Sequence, residues 1–509
     1  MSPPAALPEH RTLKTVLVNG VSFLLTAGLG FFSVPICLRT WGAERYGTWL
    51  ALLAGFTMLR TLDNGYASYV GNELNVQHHV DPLRLRKVLS SAWPICLGLG
   101  AVQLTATIVL AVSNTLYSIL GVAQLDVERH RLGLSLGILV VNWTITGSYP
   151  WIINRLLLPT GFMYEAAWWS IGLQAAQAAA LLTSAVLVLP VHQAAIFYSI
   201  MQAGAMLAIA AYVRRRVPEY YPWWRGASVR QGIHDLGQSV LLTISLIGQQ
   251  ATVSGMVLAV SSTLGTAMVP LFVATRTLSN LWTSASTIFV TPLAPEIVKH
   301  HSLRQTEKLA QIFRIYWLFS SVAVNGSMIL AMPIIQLFFA RWANGLALNF
   351  PLFFGMMGAV VSTTFGSVLL VYLHGINQLR AQLFITGARA LLAFVLSFLF
   401  TDHQGIGGIG IAIWIAELIS SVVVSLYWTT SELMRLGGRF EQLSIARPLL
   451  GMLPIQMLVM HAMFIGPPSY MWLAVAALAT ALSGLHQWFG LAPDTRARAL
   501  RLLRLRASA

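Results

Sequence analysis

Five ionisable residues, Arg60, Asp63, Arg276, Arg389 and Glu417, lie inside long apolar runs of the sequence. An arginine in hydrocarbon costs from about 2.5 to well over 10 kcal/mol, so such a residue faces a protein-lined cavity and serves a function. Guanidinium groups bind phosphate bidentately and stay charged, which makes a buried arginine pair suited to a diphosphate. Three cations stand against two anions here, whereas a cavity for a cationic drug would carry the opposite excess.

Asp63 lies three residues from Arg60, within reach of an ion pair that would ease the burial of both. Its other reading is a working group, a protonation switch or cation ligand that biases one conformation. Glu417 shares a helix face with Ser420, Ser421 and Val424 and has no basic residue within a turn, so an ionised carboxylate there needs a partner from another helix. Arg389, a few residues from its helix end, either snorkels to the interface or joins the cavity.

Arg60-Thr61-Leu62-Asp63-Asn64 recurs as Arg276-Thr277-Leu278-Ser279-Asn280, 216 residues later. Gly47-Thr48 pairs with Gly265-Thr266, and Glu73 with His78-His79 pairs with Glu296 and His300-His301, at similar offsets. Internal repeats of this kind are a transporter feature, with the substrate site at the repeat interface. Both arginines fall near mid-span, about 12 and 9 residues from their helix ends, or roughly 18 and 14 Å at the helical rise. Thr57, Arg60, Thr61, Asn64 and Ser68 share one helix face, as do Arg276, Asn280, Thr283 and Thr287. Matching stripes run through Thr15, Asn19, Ser22 and Thr26 and through Ser239, Thr243, Gln250 and Ser254. These stripes either hydrogen-bond between packed helices or line the cavity. Because Asp63 has Ser279 as its counterpart, ion coupling through that pair is expected in the first repeat alone.

The elements that position these residues are membrane-spanning helices. The 509 residues are 56% hydrophobic and 10% charged, which no soluble class matches. Continuous apolar runs of about 20 residues exclude a β-barrel, whose strands alternate. The runs predict spans at 14–37, 48–70, 88–112, 132–153, 166–189, 194–213, 239–261, 267–291, 312–333, 351–372, 383–401, 408–428, 450–466 and 470–489. The expected fold is therefore an all-α polytopic membrane protein of about 14 transmembrane helices, with two pseudo-symmetric six-helix bundles and a C-terminal helix pair. The expected divisions are 1–225, 226–430 and 431–509, the last ending in a basic tail. The first boundary lies in a charged, aromatic connector from Arg214 to Gly226.

Sorted by side, about 24 of the 32 Lys and Arg fall with the termini and about 5 on the opposite side, which places both termini in the cytoplasm. That sorting accounts for the net charge of +15 without nucleic acid. The Arg/Leu/Ala tail from Arg496 to Arg506 reads as an amphipathic segment on the anionic inner leaflet. The first apolar run is too long for a signal-peptide core and reads as a retained span. Cys37 and Cys96 lack metal-type spacing and read as buried small hydrophobes. Walker A, G-x-S-x-G and H-E-x-x-H sequences are absent. Short extracytoplasmic loops weigh against a glycan polymerase or ligase, which would need to hold an acceptor.

The run Pro35-Ile36-Cys37-Leu38-Arg39-Thr40-Trp41-Gly42-Ala43-Glu44-Arg45-Tyr46-Gly47-Thr48-Trp49, followed by Leu62-Asp63-Asn64-Gly65, resembles the N-terminal signature of bacterial polysaccharide transporters. These are O-antigen and exopolysaccharide flippases of the multidrug/oligosaccharidyl-lipid/polysaccharide exporter superfamily. The signature covers about the first 75 residues, and the span count and repeat extend the resemblance along the chain. It implies a V-shaped pair of bundles in the bacterial cytoplasmic (inner) membrane. By alternating access, the pair would carry an undecaprenyl-diphosphate-linked oligosaccharide between leaflets. Related lipid II flippases carry arginines in cavity helices, including the second and eighth. Their first-helix arginine is missing here, which argues against lipid II as substrate.

On this reading the chain is a transporter and not an enzyme. Arg60, Arg276, Asn64, Asn280, Asn19, Gln250 and Arg389 are the expected substrate-binding residues, and Asp63 and Glu417 the ion-coupling ones. No cofactor or metal is expected beyond a coupling H+ or Na+. The expected partners are the lipid-linked oligosaccharide, membrane lipids and other polysaccharide assembly proteins, with no nucleic acid, around a monomer. The alternatives are a drug/cation antiporter of the same superfamily and a membrane glycan polymerase or ligase.

Overall fold

The computed structural model describes residues 9–121, 126–376, 378–439 and 470–490, with 493 and 496. All regular structure among them is helical. Eight of the helical stretches are individually long and apolar enough to cross a membrane. Thirteen of the fourteen predicted spans coincide with described helix; the span at 450–466 and most of the basic tail lie outside the described residues.

The chain divides into two compact units, Met1–Pro270 and Leu271–Ala509. Unit 1 contains α1 (Glu9–Val80), α2 (Pro82–Val112), α3 (Thr115–Ile119), α4 (Asp126–Asn142) and α5 (Ser148–Asn154). It continues with α6 (Met163–Val186), α7 (Val191–Arg216), α8 (Val229–Gln250) and α9 (Met256–Leu264). Unit 2 contains α10 (Val269–Val290) from Leu271 on, then α11 (Ala294–Ser302), α12 (Thr306–Phe319), α13 (Ser327–Trp342) and α14 (Phe350–Gly375). It ends with α15 (Leu379–Gln404), α16 (Ile406–Glu417), α17 (Ser425–Arg435) and α18 (Tyr470–Gly490).

The first two predicted spans form one helical stretch, α1, broken at Gly42, where φ is 75° and ψ is 174°. Gly265 adopts nearly the same conformation, φ 85° and ψ 163°, between α9 and α10. Only glycine adopts this region without steric cost, so each bend is written into the sequence as a glycine. The two bends fix the register of the repeat at 223 residues, the offset that also relates Glu73 to Glu296. The arginine pentapeptides, at 216, are out of that register by seven residues, or two helical turns. Arg60 and Arg276 therefore keep the same face of their helices but differ in depth from their bends by about 10 Å. The similar depths of roughly 18 and 14 Å read from the sequence thus give way to a larger difference.

Without a hydrophobic drive between helices in lipid, close packing depends on small residues. A Cβ on Gly65 of α1 would lie 2.5 Å from the Cα of Thr243 in α8, and one on Gly232 of α8 would lie 2.7 Å from the Ser91 carbonyl of α2. These approaches are why α8, the first helix of the second predicted lobe, packs within unit 1. In unit 2, α14 and α16 meet with Gly355 against Gly410, where an added Cβ would collide with the facing backbone. Four long helices also contain a π segment, at Trp143–Gly147, Ala251–Gly255, Ser320–Gly326 and Leu418–Val424. Such widened turns recur at functional sites.

Gly65→Ala should destabilise by about 1–3 kcal/mol, because the obstacle is backbone and cannot rotate away. A Cβ added at Gly55 would meet nothing within 4 Å, so Gly55→Ala should be neutral or stabilising by up to about 1 kcal/mol. Thermal unfolding of the two purified variants should move in opposite directions.

Candidate functional site

In unit 1, Arg60 and Asp63 occupy the second half of α1 at the three-residue spacing read from the sequence. No ion pair joins them among the described residues. The indole of Trp143, the first residue of a π segment, stands in the role expected of a direct contact. Its Nε1–H donates to Oδ2 of Asp63 at 2.8 Å, while Gln103 Nε2 of α2 donates to Oδ1 at 2.9 Å. The Arg60 guanidinium carbon lies 4.5 Å from the centre of the Trp143 ring and 5.9 Å from that of Phe56. Asp63 is 3% exposed and is held by two neutral donors, and Arg60 rests on an aromatic face with its Nε buried and unpartnered.

Local sequence sets this geometry. A Cβ on Gly147 would collide with the Trp143 ring, so glycine at that position leaves room for the indole. Phe56 meets Trp143 edge-to-face at 6.5 Å, which fixes the ring's tilt. A cation over an indole face is stabilised by about 0.5–2 kcal/mol. A hydrogen bond to a charged group adds about 1.5–3 kcal/mol.

Unit 2 handles its charges by direct pairing. Arg389 Nε of α15 lies 3.2 Å from Oε1 of Glu417 at the end of α16, and both side chains are largely buried. Ser421 completes the arrangement across the π segment, donating to Glu417 Oε2 at 2.6 Å and accepting from Arg389 Nη2 at 2.8 Å. Glu417 thus has the partner from another helix that its ionised form requires, and Arg389 points to it rather than snorkelling. Glu417 also acts electrostatically on Arg276, which is half-buried in α10.

The remaining predicted residues are more dispersed. Asn64 is half-buried and Asn280 exposed, and neither has a hydrogen-bond partner among the described residues. Gln250 donates to Ser254 across a second π segment. Asn19 lies on the α1 helix, with its side chain outside the described residues. Thr57, Thr61, Ser239 and Thr243 each donate to a carbonyl of their own helix, so these members of the polar stripes are satisfied locally. Cys37 and Cys96 are buried and unpaired with each other, as read from their spacing.

Trp143 and Gln103 fall outside the set of residues expected from sequence. Their signal is position, since a tryptophan and an amide at mid-span are out of place where Trp favours the interface. Asp235 falls outside the predicted spans, yet α8 starts about ten residues earlier than predicted. Asp235 is 2% exposed within it, accepting from Gln231 Nε2 at 2.8 Å.

No protein-family model and no curated protein match the sequence. Among solved structures, the lipid II flippase MurJ in an inward closed conformation is similar, with a TM-score of 0.66 and 14% identity over 92% of this chain and 97% of that one. An inward-facing multidrug resistance MATE transporter of the MOP superfamily gives a TM-score of 0.62 and 14% identity over 83% and 99%. A MOP superfamily transporter from Pyrococcus furiosus, described by the reverse polarity of its binding pocket, gives 0.57 and 16% over 84% and 96%. The chain therefore has the fold of MOP superfamily transporters, consistent with a multi-pass membrane protein.

Removing one member of a buried ion pair costs about 3–5 kcal/mol, because the other is left uncompensated, whereas replacing both by apolar groups is often neutral. Arg389→Met should accordingly lower thermal stability and yield more than the double variant Arg389→Met/Glu417→Leu. A double variant no more stable than the single one would show that the pair does not carry this cost.

Proposed function

We propose that the chain is a flippase for an undecaprenyl-diphosphate-linked oligosaccharide, acting in O-antigen or exopolysaccharide assembly. The observation that carries this reading is Arg60. It is a half-buried cation stacked on an indole, without a carboxylate in ion-pair reach among the described residues, and hence with its charge available to an anionic ligand. Arg60 and Arg276 act as the diphosphate-binding groups. Asn64, Asn280, Asn19, Gln250 and Arg389 supply further polar contacts to the substrate. Asp63 and Glu417 are the ion-coupling carboxylates, for H+ or Na+. Alternating access then requires that substrate and ion bind the two conformations with different affinity. The protein works in the bacterial inner membrane with both termini cytoplasmic, as a monomer among other polysaccharide assembly proteins.

A second reading, a drug/cation antiporter, is favoured by Asp63, a buried carboxylate held only by neutral donors. The similarity to MATE transporters lends it support. The two readings part at the arginine.

In a strain lacking its glycan exporter, Arg60→Ala and Arg276→Ala at matched expression should each lower complementation, about tenfold or more for loss of a charge-assisted phosphate contact. Trp143→Phe keeps an aromatic face but removes the donor to Asp63, so it should impair transport less than Trp143→Ala. Full complementation by both arginine variants and their double would exclude the proposed site. Dye export that requires Asp63 but neither arginine would favour the antiporter.

A further inference from the structure

At the Gly42 end of unit 1 lies a cavity of about 670 Å3, a volume suited to a small ligand or a headgroup. None of Arg60, Asp63, Trp143 or Gln103 lines it. Its charged wall consists of Arg45 and Glu44, just past the α1 bend, and Arg131 of α4, with the His192 ring of α7 beside them. Among the described residues, two guanidinium groups therefore oppose one carboxylate.

Two further features supply donors to the same space. The 26-residue helix α7 begins at Val191, follows Pro190 and has no side-chain cap. The amides of Gln193 and Ala194 both use the Pro190 carbonyl, leaving those of Val191 and His192 as the unmet donors of the first turn. Val191 and His192 line the cavity, at the positive end of the helix dipole. Arg45 Nη1 donates to the Val188 carbonyl at 3.4 Å, which anchors the guanidinium and leaves its other N–H groups free to donate.

We propose that this cavity is a second anion site, which binds a phosphate or diphosphate group through Arg45, Arg131 and the start of α7. A wall rich in donors, with Glu44 as its one carboxylate among the described residues, selects a ligand with several acceptor oxygens. Gly265 belongs to the same wall, and Glu44 and Arg45 stand two and three residues past Gly42, so the cavity adjoins both backbone bends. The proposal does not depend on the role given to Arg60.

The test uses the full-length protein in nanodiscs of phosphatidylcholine, titrated calorimetrically with inorganic pyrophosphate and, separately, with short-chain phosphatidic acid. At least one probe should bind saturably. In an Arg60→Gln/Arg276→Gln background, which removes the diphosphate-binding groups proposed above, saturable binding should persist, and adding Arg45→Gln/Arg131→Gln should weaken it about tenfold or more. Glu44→Gln removes the opposing charge and should tighten it, a gain that a damaged fold would not produce. Pyrophosphate binding assigns the site to a free anion, and binding of phosphatidic acid alone assigns it to a lipid-borne phosphate. Absence of saturable binding by either probe overturns the proposal. So does loss of all binding in the Arg60→Gln/Arg276→Gln background, affinity unchanged there by Arg45→Gln/Arg131→Gln, or no gain in Glu44→Gln.

Discussion

The arrangement within unit 1 depends on a single indole that serves two opposite charges. Trp143 donates its N–H to Asp63 and presents its ring face to Arg60. Each contact offsets part of a burial cost that a membrane makes severe. Because the two charged groups are stabilised through the ring and not by direct pairing, neither is neutralised by the other. A carboxylate accepting from the indole N–H also enriches the ring face that the cation rests on. The state of Asp63 and the hold on Arg60 are thereby linked through one side chain, and Gly147 supplies the space that side chain occupies.

Unit 2 solves the same problem by different means. Glu417 is paired directly with Arg389 and braced by Ser421, with Arg276 in its field. In the register set by the two glycine bends, the position matching Asp63 is Ser286, which is buried and donates to the carbonyl of Thr283. The position matching Arg60 is Thr283 itself. The two halves share a backbone plan and a pair of bends, yet the charged groups are placed separately in each.

Much of the fold was legible because apolar runs are local signals, while the bends were not, since Gly265 was matched with Gly47 and its structural counterpart is Gly42. The described helices follow the predicted spans, and Gly42 and Gly265 mark real breaks. The site was legible only as a set of costly charges. Which residue would meet each charge was hidden, because Gln103 and Trp143 reach Asp63 across separations of 40 and 80 residues. Arg389 likewise meets Glu417 from a neighbouring helix. The pentapeptide repeat overstated the symmetry: its seven-residue shift preserves helix face, so periodicity could not reveal the change in depth.

The π segments have a consequence for how such helices are read. One extra residue within a turn advances everything beyond it by a step of about 100° around the axis. The halves of the helix that flank Trp143–Gly147, and of that interrupted at Leu418–Val424, thus keep separate angular phases. A polar face traced through the whole span at 3.6 residues per turn dissolves at its midpoint, where Trp143 and Glu417 are found. A deletion of one residue in these turns would close them into regular α-helix and leave the flanking halves facing their neighbours, removing only the widened turn itself.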